Sequence, residues 1–103
     1  MIERREKDIQ LSILYYLRNI GAYGGKTKTM GVRRGKVFWF DPYTFRGFPD
    51  ITGFHKNKIF FIEVKSENGT QSPQQKVFQE YCQQAGLTYI LARCLDDVAD
   101  ILN

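Results

Sequence analysis

The chain is poor in the residues that carry several common kinds of chemistry. Its two cysteines, Cys82 and Cys94, are too few for a disulfide framework and are not spaced as zinc ligands, so we expect both to be reduced core residues. Its one histidine, His55, argues against a histidine-ligated zinc site and against histidine-based hydrolysis. No apolar run approaches the roughly 18 residues of a membrane span, and no signal-peptide pattern begins the chain. We therefore expect an intracellular protein of the cytoplasm, with no membrane partner.

Acidic residues are absent from one long stretch. None occurs between Asp8 and Asp41, whereas basic residues are frequent there. A field of one sign attracts polyanions, of which nucleic acid is the common one. An ordinary solvated face explains the charge alone equally well. The candidates for contacts with nucleic-acid phosphates are Arg33, Arg34, Lys36, Lys26 and Lys28.

The remaining pattern is typical of one folded α/β domain over residues 1–103. An apolar repeat at helical spacing predicts a first helix from Glu3 to about Ile20. The segment from Ile59 to Leu91 reads as strand, helix and strand, which predicts a parallel pair with a right-handed crossover. A hairpin adds an antiparallel strand. We therefore predict a mixed sheet flanked by helices, in the order α-β-β-β-α-β-α.

The second helix has the clearest start signal in the chain. Ser72 is a good N-cap, Pro73 suits the first helical position, and Gln75 completes a capping box. Gly86 marks the expected end. The helical repeat predicts a buried face made of Val77, Phe78, Tyr81, Cys82 and Ala85.

The stretch from Phe48 to Lys65, FPDITGFHKNKIFFIEVK, carries charged residues at positions that should lie in the protein interior. Because alternate residues of a strand face the same side, Glu63 and Lys65 share one surface. A hairpin turn at Lys56-Asn57 then sets Asp50 directly opposite Glu63, with Cβ atoms about 4.5–5.5 Å apart. The register predicts that two carboxylates meet at the end of this strand.

Two carboxylates placed in this way repel each other unless a cation lies between them. Paired oxygen ligands of this kind are what Mg²⁺ or Mn²⁺ prefers. Lys65 reaches the same place, where it can orient a nucleophile or stabilise charge that develops in the transition state. These features together suit hydrolysis of a phosphodiester. In the alternative reading, Asp50 merely follows Pro49 in a turn and Glu63 pairs with Lys65 at a strand edge.

Two further polar residues are candidates for the same site. Glu6 lies three residues before Ile9 and continues the apolar stripe of the first helix, so it either points to the polar site or stabilises the helix N-terminus by its charge. Gln75 lies on the sheet-facing side of the second helix. Its role in the capping box is the alternative reading, and the two roles do not exclude each other.

Several segments together resemble one nuclease family. Pro49-Asp50 is followed, thirteen residues after Asp50, by Glu63-Val64-Lys65, which resembles the signature of the PD-(D/E)XK nuclease superfamily. The segments GFPDITGF, ExxIQ from Glu6 to Gln10, SPQQKVFQEYCQQAG and TYILARCLDDVADIL accompany it. With them, nearly the whole chain resembles the virus-type replication-repair nuclease domain (VRR-NUC) in its minimal stand-alone form.

The resemblance implies a restriction-endonuclease-like PD-(D/E)XK core and a role for each matching residue. Asp50 and Glu63 would bind Mg²⁺ or Mn²⁺, helped by the backbone carbonyl of Val64 and by Glu6. Lys65 would be the catalytic lysine, and Gln75 would lie near the active site. The products would carry a 5′-phosphate and a 3′-hydroxyl. Larger members of the family act in DNA repair, and the compact form suggests a viral or mobile-element origin.

We therefore expect a metal-dependent, structure-selective DNA endonuclease, a Holliday junction resolvase. Two symmetric cuts in a four-way junction need two active sites, which a homodimer supplies. The apolar residues of the segment 38–45, FWFDPYTF, could contribute to its interface, although core packing explains them equally well. The alternatives are a flap, nicking or restriction-like nuclease that acts as a monomer, and a nucleic-acid-binding module without turnover.

Overall fold

A computed structural model of the 103-residue chain describes residues 5–27, 33–34, 37–38 and 42–103. It has three helices and six strands in these ranges. In chain order they are α1 (Glu6–Asn19), β1 (Tyr23–Lys26), β2 (Arg33–Arg34), β3 (Val37–Phe38), β4 (Ile51–His55), β5 (Lys58–Val64), α2 (Pro73–Gln84), β6 (Thr88–Ala92) and α3 (Leu95–Ala99).

The strands form a mixed four-stranded sheet in the order β1-β4-β5-β6, and β2 pairs separately with β3. Neighbours β1 and β4 are antiparallel, as are β4 and β5, whereas β5 and β6 are parallel. The expected mixed sheet flanked by helices is confirmed. The expected order had three strands between the first two helices. Three strands there do belong to the main sheet, and the two-residue strands β2 and β3 are additional because they pair only with each other.

The hairpin between β4 and β5 has the predicted register. Its turn residues Lys56 and Asn57 both have positive φ, 48° and 66°, as a two-residue type I′ turn requires. His55 pairs with Lys58, and the ladder continues in this register to its last rung, Ile51 with Ile62. Asp50, the next residue, therefore lies at the end of the ladder beside Glu63.

One face of the sheet is covered by α1 and α3. Ile9, Ile13 and Leu17 of α1 are buried, which confirms the helical stripe predicted for this segment. They meet the residues of β5 and β6 that face this side, with Ile51, Val98 and Leu102 completing the cluster. The Tyr16 hydroxyl donates a 2.7 Å hydrogen bond to the Leu102 carbonyl and ties the C-terminal turn to α1. This face is the main hydrophobic core.

The other face carries α2, whose start is as predicted. The Ser72 hydroxyl accepts from the Gln75 amide, and the Gln75 side chain accepts from the Ser72 amide, so the capping box is complete. The predicted buried face is wrong in part: Cys82 is buried, but Val77 and Tyr81 are 50% and 70% exposed, and Ala85 is exposed too.

The reason is that α2 rests on the sheet along one line, through Phe78 and Cys82. The loop at residues 42–48 contacts Phe78 of this helix but leaves Val77 and Tyr81 exposed. The periodicity of a sequence cannot tell a narrow contact from a wide one. Cys94 was also expected in the core and is instead exposed at the N-cap of α3. Both cysteines are free, as expected. None of the helices in the described ranges is long and apolar enough to cross a membrane.

Gly53 lies where β1 packs against β4, so a substitution at this position tests how tight that packing is. A Cβ at this position would press on the Tyr23 carbonyl and would lie 2.6 Å from Phe60 Cζ, whereas a Cβ at Gly25 would meet no atom within 4 Å. We expect Gly53→Ala to lower the free energy of unfolding by about 1–3 kcal/mol, because a core this tight cannot expand without strain. Urea denaturation followed by circular dichroism measures the change. Gly25→Ala is the control, and equal effects of the two substitutions would contradict the packing.

Candidate metal centre and active site

The candidate site lies at the carboxyl end of β5, on the sheet face that carries α2. Phe60, Ile62 and Val64 are fully buried on the opposite face, so the strand alternates as expected. Glu63 and Lys65 consequently share the face of α2. In an α/β sheet, the carboxyl ends of parallel strands are where ligands usually bind.

Asp50 is held to this site through both its backbone and its side chain. Its Oδ2 accepts a 2.8 Å hydrogen bond from the Val64 amide, and its carbonyl accepts one of 2.8 Å from the Thr27 amide. The preceding chain is fixed by Gly47, at a φ of 71°, where a Cβ would lie 2.5 Å from the Gln74 carbonyl carbon in the first turn of α2. The Asp50 carboxylate is therefore bound rigidly to the end of β5.

Glu63 is a buried carboxylate, 2% exposed. Its Oε1 has no hydrogen-bond partner among the described residues, and its Oε2 lies 3.5 Å from Lys65 Nζ. Burial and, after it, the neighbouring Asp50 carboxylate raise the pKa of Glu63 from 4.5 to about 8, although Lys65 partly opposes both effects. An uncompensated carboxylate of this kind is costly to bury and calls for a cation.

The donors fit a hard divalent ion. Asp50, just before β4, and Glu63, in β5, supply carboxylate oxygens, and Oε1 of Glu63 is buried with no partner in the described ranges. A third ligating side chain is not brought to the pair: within the described ranges, no three His, Cys, Asp or Glu side chains form a group that could hold a metal. With the Val64 carbonyl as a third ligand, the metal-binding set in the described ranges would still contain two carboxylates.

Glu6 and Gln75 have no hydrogen bond or ion pair to the carboxylate pair among the contacts of the described residues. Glu6 is exposed in the first turn of α1, not on the buried stripe, because the stripe begins to be covered only at Ile9. This location fits its charge role at the helix N-terminus. The Gln75 side-chain oxygen is used by the capping box, so the capping reading of this residue is confirmed, and its role at the active site stays a prediction.

The predicted phosphate-contacting residues are described only in part. Lys26 is exposed in β1, the edge strand of the sheet. Arg33 and Arg34 form β2, where the backbone is described but the side chains are not. Lys28 and Lys36 lie outside the described residues, so their contacts with nucleic acid stay predictions.

Sequence reasoning missed a hydrogen-bonded group beside the carboxylates. Gln71 Nε2 donates to Gln79 Oε1 at 3.0 Å and to the Tyr89 hydroxyl at 3.1 Å. Burial raises the pKa of Tyr89 to about 12, with smaller contributions from Glu63 and Asp50. Gln79 follows Gln75 by one helical turn, and Tyr89 is the β6 partner of Phe61. The spacing of Gln75 and Gln79 by one helical turn was the one feature of the sequence that could have indicated this hydrogen-bonded group.

An apolar groove adjoins the site on the α2 side. It has a volume of about 960 Å³ and is lined mainly by the loop at residues 42–48 and by α2. Phe61, two residues before Glu63 on the same face, forms part of it. Tyr43, Phe45 and Tyr81 are 95%, 66% and 70% exposed. Such a large exposed apolar surface is typical of an interaction site.

Comparison with known proteins identified no relative. No protein-family model matched the chain, and neither a curated protein nor a solved structure did so. The geometry of the site is therefore the basis on which its function is argued.

The raised pKa of Glu63 predicts a pH dependence of stability. Because the folded pKa of about 8 exceeds the ordinary 4.5, the folded state binds this proton more tightly than the unfolded state. The contribution is fully present below pH 4.5 and is lost as the pH rises through 8. In a chelator, we expect the free energy of unfolding to fall over this window by at most about 1.4 kcal/mol per pH unit.

Urea denaturation of the wild type and of Glu63→Gln at a series of pH values checks this dependence. The variant carries no titrating carboxyl at this position, so its stability should change less over the same window. Glu80→Gln, which alters an exposed carboxylate on α2, is the control and should follow the wild type. Parallel curves for all three proteins would show that Glu63 titrates normally.

Proposed function

We propose that the protein is a divalent-metal-dependent DNA endonuclease, selective for branched DNA and acting as a homodimeric Holliday junction resolvase of the VRR-NUC type. The observation that carries the proposal is the meeting of Asp50, Glu63 and Lys65 at the end of β5. One oxygen of Glu63 is buried there and has no hydrogen-bond partner in the part of the chain that the structure describes. An ion pair that only stabilised the fold would need a single acid beside Lys65, whereas two acids, Asp50 and Glu63, converge there.

Each residue of this group has a distinct task in phosphodiester hydrolysis. Asp50 and Glu63, with the Val64 carbonyl, would hold Mg²⁺ or Mn²⁺, which when bound supplies Lewis-acid stabilisation of the phosphoryl oxygens. Lys65, 3.5 Å from Glu63, orients the attacking water and offsets negative charge that develops at phosphorus. Glu6 and Gln75 are assigned supporting roles in this proposal by the family resemblance alone.

The reaction is a simple displacement at phosphorus. An oxygen of water forms the new bond to phosphorus, and the bond from phosphorus to the 3′-oxygen breaks. The proton released by the water is balanced by protonation of the 3′-oxygen, which leaves a 5′-phosphate and a 3′-hydroxyl. The desolvated surroundings of Glu63 strengthen the electrostatic interactions on which this step depends.

Charge supports DNA as the substrate. The chain has a formal net charge of +4, and the stretch between Asp8 and Asp41 has only basic charges. Phosphate contacts of this kind supply affinity that does not depend on sequence. Selectivity for branched DNA would then come from the shape of the substrate and not from base contacts.

Cleavage of a labelled four-way junction tests the activity. With Mg²⁺ or Mn²⁺ we expect paired symmetric cuts in the junction and little cutting of a matched linear duplex. Lys65→Ala and Asp50→Asn should lower the rate by roughly 10²–10⁴-fold, since the first removes the charge beside the reacting phosphate and the second removes a carboxylate that would hold the metal. Lys58→Ala, which removes an exposed lysine from the other end of β5, is the control and should cut like the wild type.

Each alternative gives a different result in this experiment. Equal cutting of the junction and the duplex would identify a general nuclease. Preference for a flap would identify a repair-type activity. Binding of DNA without cutting by the wild type, in either metal, would leave a nucleic-acid-binding module and reject the catalytic proposal.

The exposed groove supports the homodimer part of the proposal. A monomer rarely leaves Tyr43, Phe45, Val77 and Tyr81 so exposed on one surface, and a second copy would cover them. Two protomers related by a two-fold axis present two carboxylate pairs, which a symmetric junction requires.

Light scattering after size-exclusion chromatography measures the assembly directly. We expect a mass of about twice 12.0 kDa for the wild type. Tyr81→Glu places a charge in the proposed interface and should give the monomer mass, because a buried unpaired charge is costly. Leu11→Glu alters an exposed apolar residue on α1 and should remain dimeric. A monomeric wild type would reject the dimer and leave the nuclease proposal intact.

A further inference from the structure

The loop from Ser66 to Gln71 connects the lysine of the site to α2, and its backbone has few partners. Lys65 donates its amide to the Ala92 carbonyl at 3.0 Å, which is the last bond between β5 and β6. Beyond it, the Gly69 amide bonds the Ser66 carbonyl at 3.0 Å within the loop. At the far end the Gln71 side chain is tied to Gln79 and Tyr89.

Arg93 binds the near end of this loop from the neighbouring strand. Its Nη1 donates to the carbonyls of Ser66 at 2.7 Å, Gly69 at 2.7 Å and Glu67 at 3.2 Å. Hydrogen bonds from a guanidinium to carbonyl oxygens are charge-assisted and therefore stronger than bonds between neutral groups. Three carbonyls of an otherwise open loop therefore converge on one cation.

The position of Arg93 follows from the parallel pairing of β5 and β6. Val64 pairs with Ala92, so Lys65 and Arg93 are the next residues on the two strands. Arg93 is itself held in place, because its amide donates a 2.9 Å hydrogen bond to Asp97 Oδ2 in α3. A continuous path of contacts thus runs from α3 through Arg93 to the residue that follows Lys65.

We propose that Arg93 is a positioning residue for Lys65, an inference that rests on the nuclease function proposed above. It acts through the backbone of the Ser66–Gly69 loop and does not touch the reacting phosphate. With this loop bound, the Lys65 main chain cannot swing away from the sheet, and its ammonium stays beside Glu63. Without it, Lys65 keeps one backbone bond to β6 and loses the restraint on its C-terminal side.

Two measurements on Arg93→Ala, Arg93→Lys and the control Arg5→Ala test the proposal. Arg5 is an exposed arginine at the N-cap of α1, outside the basic stretch between Asp8 and Asp41, so its removal changes the net charge equally. The first measurement is single-turnover cleavage of the junction, with DNA affinity determined separately in Ca²⁺. The second is the rate at which an amine-reactive acetylating ester modifies Lys65 in metal-free protein, relative to the exposed Lys58, read by mass spectrometry.

We expect Arg93→Ala to slow cleavage by about tenfold and to speed acetylation of Lys65 by a similar factor, with DNA affinity unchanged. Arg93→Lys, which keeps a cation with three donors, should restore most of both values, and Arg5→Ala should match the wild type. Unchanged acetylation and cleavage in folded Arg93→Ala would overturn the proposal and leave Arg93 a structural residue only. If the alanine variant does not fold, Arg93→Gln takes its place, and the same readings apply.

The acetylation readout separates this proposal from the nuclease function. If the wild type cuts no DNA, the nuclease proposal fails, yet faster modification of Lys65 in Arg93→Ala still establishes that Arg93 positions the lysine. If the wild type cuts DNA and Arg93→Ala leaves both the rate and the modification unchanged, the nuclease proposal stands and the positioning role is rejected.

Discussion

The pairing of β4 with β5 in one register is the constraint on which the rest of the site depends. The two-residue turn at Lys56 and Asn57 sets this register, and it brings Asp50 to the end of the ladder beside Glu63. A slip by one residue would turn Glu63 toward the core that Phe60 and Ile62 now fill. Burial of those apolar residues therefore also determines which face receives the carboxylate, so the stability of the sheet and the geometry of the site have one origin.

The two carboxylates are not equivalent. Asp50 receives a hydrogen bond from the Val64 amide, which compensates its charge, whereas the buried Oε1 of Glu63 has no partner in the described part of the chain. Desolvation and the charge of Asp50 consequently raise the pKa of Glu63, and Lys65 offsets only part of the effect. Oε1 of Glu63 therefore lacks a hydrogen-bond donor or positive charge that would stabilise the ionised carboxylate. A bound cation would supply positive charge and lower the pKa of Glu63, so that the carboxyl group would lose its proton.

The two faces of the sheet differ in how closely they are packed and in the side chains that they carry. The face toward α1 and α3 is closely packed, and it holds most of the buried apolar side chains. The face toward α2 has a narrower contact and keeps an apolar groove and the polar site side by side. Because the packed face supplies the stability, the other face tolerates an uncompensated carboxylate and exposed aromatic rings. On this more open side, Arg93 binds the connecting loop, and Gln71 at the end of that loop donates a hydrogen bond to the Tyr89 hydroxyl.

The residues alone predicted the main helices and strands, the parallel pairing of β5 with β6, the hairpin of β4 with β5 and the meeting of Asp50, Glu63 and Lys65. These follow from short-range rules: alternation along a strand, turn chemistry at Lys56-Asn57 and the capping box at Ser72. Packing between separate elements, by contrast, sets the exposure of Val77, Tyr81 and Glu6 and the binding of Arg93 to the loop after Lys65. Those outcomes depend on how closely separate elements approach each other, and residue spacing within one element carries no information about that distance.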